Sequence, residues 1–348
     1  MTDTGRGAVS RAQDAQDAQD DARDARDVRG NASVAAEVFH RYGVDFTGAR
    51  RASGWTNATW LGGGIAVRVA GASGSEDLRR EVRLAAVLPP ETGYPRVLDT
   101  GTTRGFQWVA TAEIAAASLD DAWPALTWDQ RIEATRRLWA RARAVHRVDP
   151  VVAAPLARPS NPFYARSPRE AEAGLLRLRA AGVLTAAELN RLRPALDRHW
   201  AALPHATPVL NHGDLSPVNA LWDGNEVVSL LDFEFAVLAP AQLDLNELVK
   251  LAYAPPEPGT SPTGADAAGR HRLQEAVTDL ARPLLRTAAE VDLLLGHAIQ
   301  LETWGLEREL AKPGREAFRE WEPYRMLAEW ARTDGGHYAP LLHALGHL

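Results

Sequence analysis

The run His212-Gly213-Asp214-Leu215-Ser216-Pro217-Val218-Asn219 is followed, after one apolar segment, by Leu231-Asp232-Phe233-Glu234. These residues bring an imidazole, carboxylates and a carboxamide into one spacing, His-x-Asp-x-x-x-x-Asn with a further Asp beyond. Phosphoryl transfer asks for such a set. It needs a carboxylate beside the attacking hydroxyl and hard oxygen ligands that hold Mg²⁺ against nucleotide phosphates. Asp214, Asn219 and Asp232 can supply all of them from one short stretch of chain.

The elements that must position these groups are legible around them. Pro208-Val209-Leu210 is an apolar lead-in. Asn219-Ala220-Leu221-Trp222 reads as a strand, Asp223-Gly224-Asn225 as a tight turn, and Val227-Val228-Ser229-Leu230-Leu231 as the returning strand. A hairpin brings its outer ends together, so Asn219 and Asp232 are expected side by side, within reach of one cation. An ordinary Asp-Gly hairpin with polar flanks is the competing reading, since Asp and Asn also favour turns for local reasons. The four-part spacing on top of the hairpin favours the chemical one.

The segment resembles the aminoglycoside phosphotransferase and choline kinase-like family, relatives of the protein kinases. That family carries His-Gly-Asp-x-x-x-x-Asn where protein kinases carry His-Arg-Asp. The resemblance implies that Asp214 is the catalytic base and that Asn219 and Asp232 are Mg²⁺ ligands. It implies that His212 braces the loop and that Asp244, in Gln242-Leu243-Asp244-Leu245, pins the loop backbone. The family usually has Gly-Asp-Pro shortly before that last position. This chain reads Ala239-Pro240-Ala241, which sets it in an atypical branch.

Bulk properties fit a globular enzyme. The 348 residues suit two domains or a two-lobed unit, and a 45% hydrophobic content with 11 Trp allows a substantial core. There is no cysteine, hence no disulfide framework, thiolate metal site or cysteine nucleophile. A formal net charge of -6 argues against a general nucleic-acid surface. The basic charge is almost all arginine; Lys250 and Lys312 are the lysines. No stretch reaches the apolar length of a membrane span, and the first residues lack the apolar region of a signal peptide. A cytoplasmic location is expected, with no membrane, nucleic-acid or obligate protein partner.

Three regions are expected. Residues 1–30 form a low-complexity tail of repeated Ala, Gln, Asp and Arg with little to bury, read as disordered. Residues 31–114 read as a nucleotide-binding N-lobe. Its expected elements are a helix from Val34 to Tyr42, strands from Ala52 to Leu61 and Ile65 to Ala70, a helix from Glu76 to Leu88, and strands from Val97 to Thr100 and Gln107 to Ile114. Residues 115–348 read as a C-lobe with the catalytic loop and acceptor site. Helices are expected from Trp128 to His146, Ser167 to Ala181, Thr185 to Leu203, Leu243 to Tyr253, Arg270 to Thr287, Ala288 to Glu309 and Arg315 to Arg332. The fold class is therefore α+β, a two-lobed protein kinase-like fold. A small N-lobe with an antiparallel sheet joins a larger, mainly helical C-lobe, with the nucleotide expected between them.

In the N-lobe, Ser53 and Thr56 in Ser53-Gly54-Trp55-Thr56-Asn57 could cover phosphates with N–H and hydroxyl groups. Arg68 stands where the family usually places a phosphate-contacting Lys, and a guanidinium can hold phosphate bidentately. Glu81 in the next helix is the expected partner of Arg68, with Glu76 as a competitor. Glu113 and Ile114 resemble the hinge that meets the base ring. His146 is read as a structural histidine at a helix end.

The acceptor is less defined. Glu234 directly follows the metal-binding position and is the first candidate for substrate contact. Glu257, Asp292, Glu302 and Glu307 are further carboxylates, and Trp304 and Tyr253 could stack on a ring. The expected activity is Mg²⁺-dependent transfer of the γ-phosphate of ATP or GTP to a hydroxyl of a small molecule, an aminoglycoside-like antibiotic being one such acceptor. A metabolic kinase for an amino alcohol or sugar is the alternative within that class. A non-catalytic kinase-like nucleotide-binding protein is the alternative outside it.

Overall fold

The structure, a computed structural model, describes residues 30–52, 57–71, 77–256, 258–259, 263–312 and 315–348. Two compact units emerge, Met1–Ala86 with Pro95–Ala115, and Val87–Tyr94 with Ala116–Leu348. Ser53, Thr56, Glu76, Glu257 and nearly all of the low-complexity tail lie outside the described residues.

The first unit contains helix α1 (30–41), strands β1 (Arg50–Arg51), β2 (Ala58–Gly62) and β3 (Ile65–Val69), helix α2 (Asp77–Ala85), and strands β4 (Val97–Thr103) and β5 (Phe106–Ala112). The five strands form one antiparallel sheet in the order β1-β2-β3-β5-β4. β2 and β3 are joined by Gly63 and Gly64 at φ +59° and +79°. Both positions of this two-residue turn need positive φ, which glycine adopts without a Cβ clash.

Alternation along β3 decides which helix covers which face. Ile65, Val67 and Val69 are buried against α1, whose Val34, Ala35, Val38 and Phe39 complete that core with Trp60, Trp108 and Ala110. Residues of opposite parity face the other way. There Val109 packs against Leu78 of α2, and Arg68 is paired with Val109 in the strand register. The period of β3 therefore aims Arg68 at α2. That helix ends at Ala85, short of the expected Leu88.

The second unit contains β6 (Ala117–Ser118), α3 (Leu119–Ala122), α4 (Trp128–Val145), α5 (Pro150–Ala153), α6 (Pro168–Ala180) and α7 (Ala186–Ala202). Next come β7 (Val209–Asn211), β8 (Ala220–Trp222), β9 (Val227–Leu230) and β10 (Val237–Ala239). The chain closes with α8 (Gln242–Tyr253), α9 (Gly264–Ala281), α10 (Ala288–Leu310), α11 (Glu322–Arg332) and α12 (Ala339–Leu345). Helix starts follow local chemistry. Thr127 with Gln130, Thr185 with Glu188, and Thr287 with Glu290 form reciprocal capping boxes that satisfy otherwise orphaned N–H groups. α10 is the core helix, buried on most of its faces from Val291 to Leu306.

Two helical expectations need correction, and proline explains both. α9 begins at Gly264 rather than Arg270 and gives way to a 3₁₀ turn at Arg282–Leu284, because Pro283 lacks the N–H an α-helix would use there. The expected helix from Arg315 to Arg332 is two pieces, a 3₁₀ segment Arg315–Glu320 and α11. Trp321 between them is extended, at φ -69° and ψ 140°, and Pro323 sits in the first turn of α11, the one place a helix tolerates it. Among the described residues no helix is long and apolar enough to cross a membrane.

Candidate active site

β7 and β10 pair antiparallel, Asn211 opposite Val237, and deliver the chain into His212. β8 and β9 form the expected hairpin, Ala220 opposite Leu230, closed by Asp223-Gly224-Asn225. The Asp223 carboxylate accepts from the N–H groups of Asn225 and Glu226 at 2.8 and 2.9 Å, which fixes the turn. At the open end, Leu231 N–H donates to the Asn219 carbonyl at 2.8 Å. Asp232 is the next residue, so the ladder itself sets Asn219 beside it. Asn219 ends a 3₁₀ turn, Pro217–Asn219, and the strand starts one residue later than expected.

Asp214 is tied to this end by an amide. Asn219 Nδ2 donates to the Asp214 carbonyl and to its Oδ2, both at 3.0 Å. A carboxylate only accepts, so the nitrogen must face Asp214, which aims the amide oxygen away from it. Burial raises the pKa of Asp214, and the negative charges of Asp232 and Asp244 add to that; His212 and the Asn219 amide pull the other way. Asp232 has φ +62° and ψ +60°, a left-handed conformation that a non-glycine residue holds at a cost of about 1–3 kcal/mol.

The loop backbone hangs on one buried carboxylate. Asp244, in the first turn of α8, is fully buried and accepts from His212 N–H at 2.8 Å, Gly213 N–H at 3.0 Å and His146 Nε2 at 2.9 Å. Burial alone would raise its pKa. The His146 hydrogen bond and charge, with His212 and the Gly213 N–H, outweigh that and hold it below the usual carboxylate value. His212 donates from Nε2 to the Leu231 carbonyl at 2.7 Å and accepts at Nδ1 from Asp214 N–H at 3.3 Å. These two bonds link the loop to the residue that follows β9. The ring packs on Phe233, centroids 4.4 Å apart.

A second anchor had no counterpart in the sequence reading. Asn161 donates from Nδ2 to the Gly213 carbonyl at 2.7 Å. It is a lone Asn far from the loop in sequence, with no local pattern to mark it. Gly213 is at φ +85°, and a Cβ there would lie 2.1 Å from the Phe235 carbonyl oxygen. Only glycine fits, by both conformation and space.

In the first unit, Arg68 Nη1 reaches both oxygens of Glu81 at 2.7 and 2.9 Å, with Glu81 1% exposed. Glu113 N–H donates to the Gly64 carbonyl at 2.9 Å, and its side chain lies 3.9 Å from Arg50. Ile114 follows, half-buried, beyond the end of β5.

Most carboxylates named for substrate contact have internal partners. Glu302 is fully buried and lies 2.7 Å from Lys250, which also reaches Glu322 at 3.0 Å. Arg177 grips Glu307 at 2.7 and 3.0 Å, and Arg198 holds Asp292 at 2.8 Å. Glu234 is buried at 4% exposure.

Among the described residues no three His, Cys, Asp or Glu side chains converge as a metal cage. Mg²⁺ in a nucleotide site does not require one, since one or two protein oxygens plus phosphates and water suffice. The Asn219 amide oxygen and the Asp232 carboxylate are hard donors of the type such an ion takes.

The phosphotransferase enzyme family model matches residues 47–284, more than half of the chain. The chain belongs to this family. Solved structures agree on the fold. It is similar to a thermostable mutant of aminoglycoside phosphotransferase APH(4)-Ia in ternary complex with AMP-PNP and hygromycin B, at TM-score 0.61 and 14% identity over 87% of this chain and 99% of that one. It is similar to the GDP complex of aminoglycoside 2'-phosphotransferase-IIIa, at TM-score 0.57 and 14% identity over 81% and 91% of the two chains. A putative aminoglycoside phosphotransferase from Ralstonia eutropha matches at TM-score 0.55 and 15% identity over 82% and 92%. No curated protein sequence matches the chain. The fold is the two-unit, α+β, protein kinase-like one, with the antiparallel sheet in the small unit.

Proposed function

We propose that this phosphotransferase moves the γ-phosphoryl group of ATP or GTP to a hydroxyl of a small molecule, with Mg²⁺. The observation that carries the reading is the Asp214 carboxylate, pinned by Asn219 at the hairpin end where Asp232 also emerges. Asn219 Oδ1 and Asp232 would hold the ion, whose charge offsets that of the phosphates.

Asp214 orients the acceptor hydroxyl and takes its proton as the oxygen attacks. The new bond joins that oxygen to the γ-phosphorus, and the bond from phosphorus to the β–γ bridging oxygen breaks. Nucleoside diphosphate leaves. The raised pKa of Asp214 makes its ionised form a stronger base than an exposed Asp. Arg68, held by Glu81, serves as the phosphate-binding guanidinium. Ser53, Thr56, Glu113 and Ile114 complete the proposed nucleotide set, and Asp244 with His212 keeps the loop in register.

Solved relatives carry GDP, or AMP-PNP with hygromycin B, which supports a nucleotide donor and makes antibiotics the first acceptors to try. Amino alcohols and sugars come next. Purified protein with Mg²⁺ and ATP or GTP is incubated with aminoglycosides, macrolides, peptide antibiotics, choline, homoserine and sugars. Mass spectrometry then reads the gain of a phosphoryl group, with Asp214→Asn as control. A product absent from the control supports the reading. Absence of Mg²⁺-dependent nucleotide binding would replace it with the non-catalytic one.

A further inference from the structure

On α8, Asp244, Glu247 and Lys250 are spaced three apart and stand on one stripe of the helix. The stripe starts under the loop, where Asp244 accepts from the N–H groups of His212 and Gly213. It ends at Lys250, which reaches Glu302 of α10 at 2.7 Å and Glu322 at 3.0 Å. Glu247 lies between these two fixed ends. Among the described residues its carboxyl has neither a hydrogen bond nor an ion pair. Glu302, Glu307 and Asp292, by contrast, are held by Lys250, Arg177 and Arg198.

Tyr164 is a second polar group left over. Its hydroxyl is closed to solvent and has no hydrogen-bond partner among the described residues. A buried hydroxyl left unpaired is costly unless a ligand or water completes it. The residue itself is well fixed. Its N–H donates to the Asn161 carbonyl at 3.2 Å, Ala165 N–H donates to Gln300 Oε1 at 3.1 Å, and the ring meets His297 edge-on at 5.3 Å. The Asn161 amide donates to the Gly213 carbonyl at 2.7 Å, so the segment is fastened to the residue before Asp214.

The two leftover groups share a neighbour in Asp214. Its charge acts on both of them, and Glu247 carries the largest charge effect on the phenol. Asp214 and Glu247 are each half-buried and keep a face to solvent, whereas Leu215, Asp244, Leu245 and Leu248 beside them are closed.

Both groups hold their protons at neutral pH. Burial pushes the Glu247 carboxyl up to about 8; Asp214, Glu302 and Asp244 push the same way, and Lys250 opposes them. Burial, then Glu247, Asp244, Asp214 and Glu302, keeps the Tyr164 phenol well above its ordinary value. From the turn before α12, Tyr338 donates to Asn246 at 2.9 Å; burial, with Glu302, Glu247 and Glu322, keeps its phenol protonated too.

We propose that Glu247 and Tyr164 bind the acceptor beside Asp214, taking by hydrogen bonds a neutral oxygen group next to its reacting hydroxyl, so that the acceptor is a polyol or sugar-like diol. This rests on the phosphotransferase reading and names its substrate class. A protonated carboxyl and a phenol each donate and accept, as a neighbouring hydroxyl requires. A quaternary ammonium offers them neither a donor nor an acceptor.

Glycerol, ribose, glucose and myo-inositol are compared with choline as acceptors, with Mg²⁺ and ATP or GTP, and phosphoryl gain is read by mass spectrometry. At least one polyol should be phosphorylated, and choline should not. Tyr164→Phe removes one unpaired hydroxyl, so it should leave the melting temperature in place while raising the polyol KM about fivefold. Glu247→Leu should raise that KM about tenfold with nucleotide KM unchanged, and Glu247→Gln, itself a neutral donor and acceptor, should restore most of the loss at pH 7. In the wild type, kcat/KM for the polyol should fall about fivefold to tenfold from pH 7.5 to pH 9 as Glu247 loses its proton, and Glu247→Gln should lack that fall. Circular dichroism checks that the variants fold. A polyol KM that neither Tyr164→Phe nor Glu247→Leu moves overturns the proposal, as does an alkaline fall that Glu247→Gln retains. So does phosphorylation of choline in place of the polyols, or nucleotide binding with no polyol phosphorylated. Failure to bind nucleotide at all would instead sink the phosphotransferase reading, and the proposal with it.

Discussion

Two charged centres of this molecule are positioned by different means, one by side chains clasping a loop and one by the pleat of a strand. The His212–Asn219 loop is held redundantly. Asp244 fixes two consecutive N–H groups, His146 fixes Asp244, His212 spans to Leu231, and Asn161 secures the Gly213 carbonyl. Arg68 in the first unit is gripped by Glu81 across a strand-to-helix contact. The difference follows from what each is proposed to do. A base has to meet a hydroxyl with sub-ångström tolerance, and a loop without its own ladder gains that tolerance only from side chains. An arginine on a strand already has its direction set by the pleat and needs its long side chain steadied.

The sharpest way to break the contrast is to remove the hub. Asp244→Ala strips the acceptor from three donors and leaves His146 facing a buried gap. A loss of about 3–5 kcal/mol is expected in urea unfolding, with transfer activity lost as well. If the variant kept wild-type stability, the loop would not depend on the hub.

Glu81→Gln should act more locally. It leaves the partly buried Arg68 with a weaker partner, at a cost of about 1–3 kcal/mol. In steady-state kinetics the nucleotide KM should rise about tenfold while acceptor KM stays within about twofold. An unchanged nucleotide KM would detach Arg68 from phosphate binding.

These contrasts show what a linear sequence reveals. The loop and hairpin were legible because their chemistry is local. The spacing from His212 to Asp232 and the turn at Asp223-Gly224-Asn225 fix the register, and the ladder follows. Arg68 and Glu81 were legible too, since strand parity and the next helix bring them together. What supports the loop was less so. Asn161 meets Gly213 across 52 residues of sequence and His146 meets Asp244 across 98, and no periodicity encodes such pairs. His146 was read as structural, and its bond to Asp244 gives that reading a partner. The acidic candidates illustrate the opposite limit. Helix faces suggest solvated carboxylates, yet Glu302 is fully buried, and its pairing with Lys250, like that of Glu307 with Arg177, depends on helix packing.

A pH-dependent effect sharpens the picture of the loop's surroundings. Glu247, one turn along α8 from Asp244, has its pKa pushed up to about 8, first by desolvation and then by the charges of Asp214, Glu302 and Asp244, against Lys250. A carboxyl raised this way holds its proton in the folded state while the unfolded chain releases it. It therefore costs stability as pH rises from its unfolded value towards 8. Glu247→Gln removes that cost. Its melting temperature relative to wild type should climb between pH 5 and pH 8, the stability gap widening by at most about 1.4 kcal/mol per pH unit. A gap independent of pH would show that Glu247 is already ionised in the folded protein.

The most direct test of the central claim separates chemistry from binding at Asp214. Wild type and Asp214→Asn are compared for transfer of labelled γ-phosphoryl to an accepted hydroxyl compound, and for Mg²⁺-nucleotide affinity. Transfer should fall by about 10²–10⁴-fold while nucleotide affinity stays within about threefold. Full transfer by Asp214→Asn would contradict the assignment of Asp214 as the base.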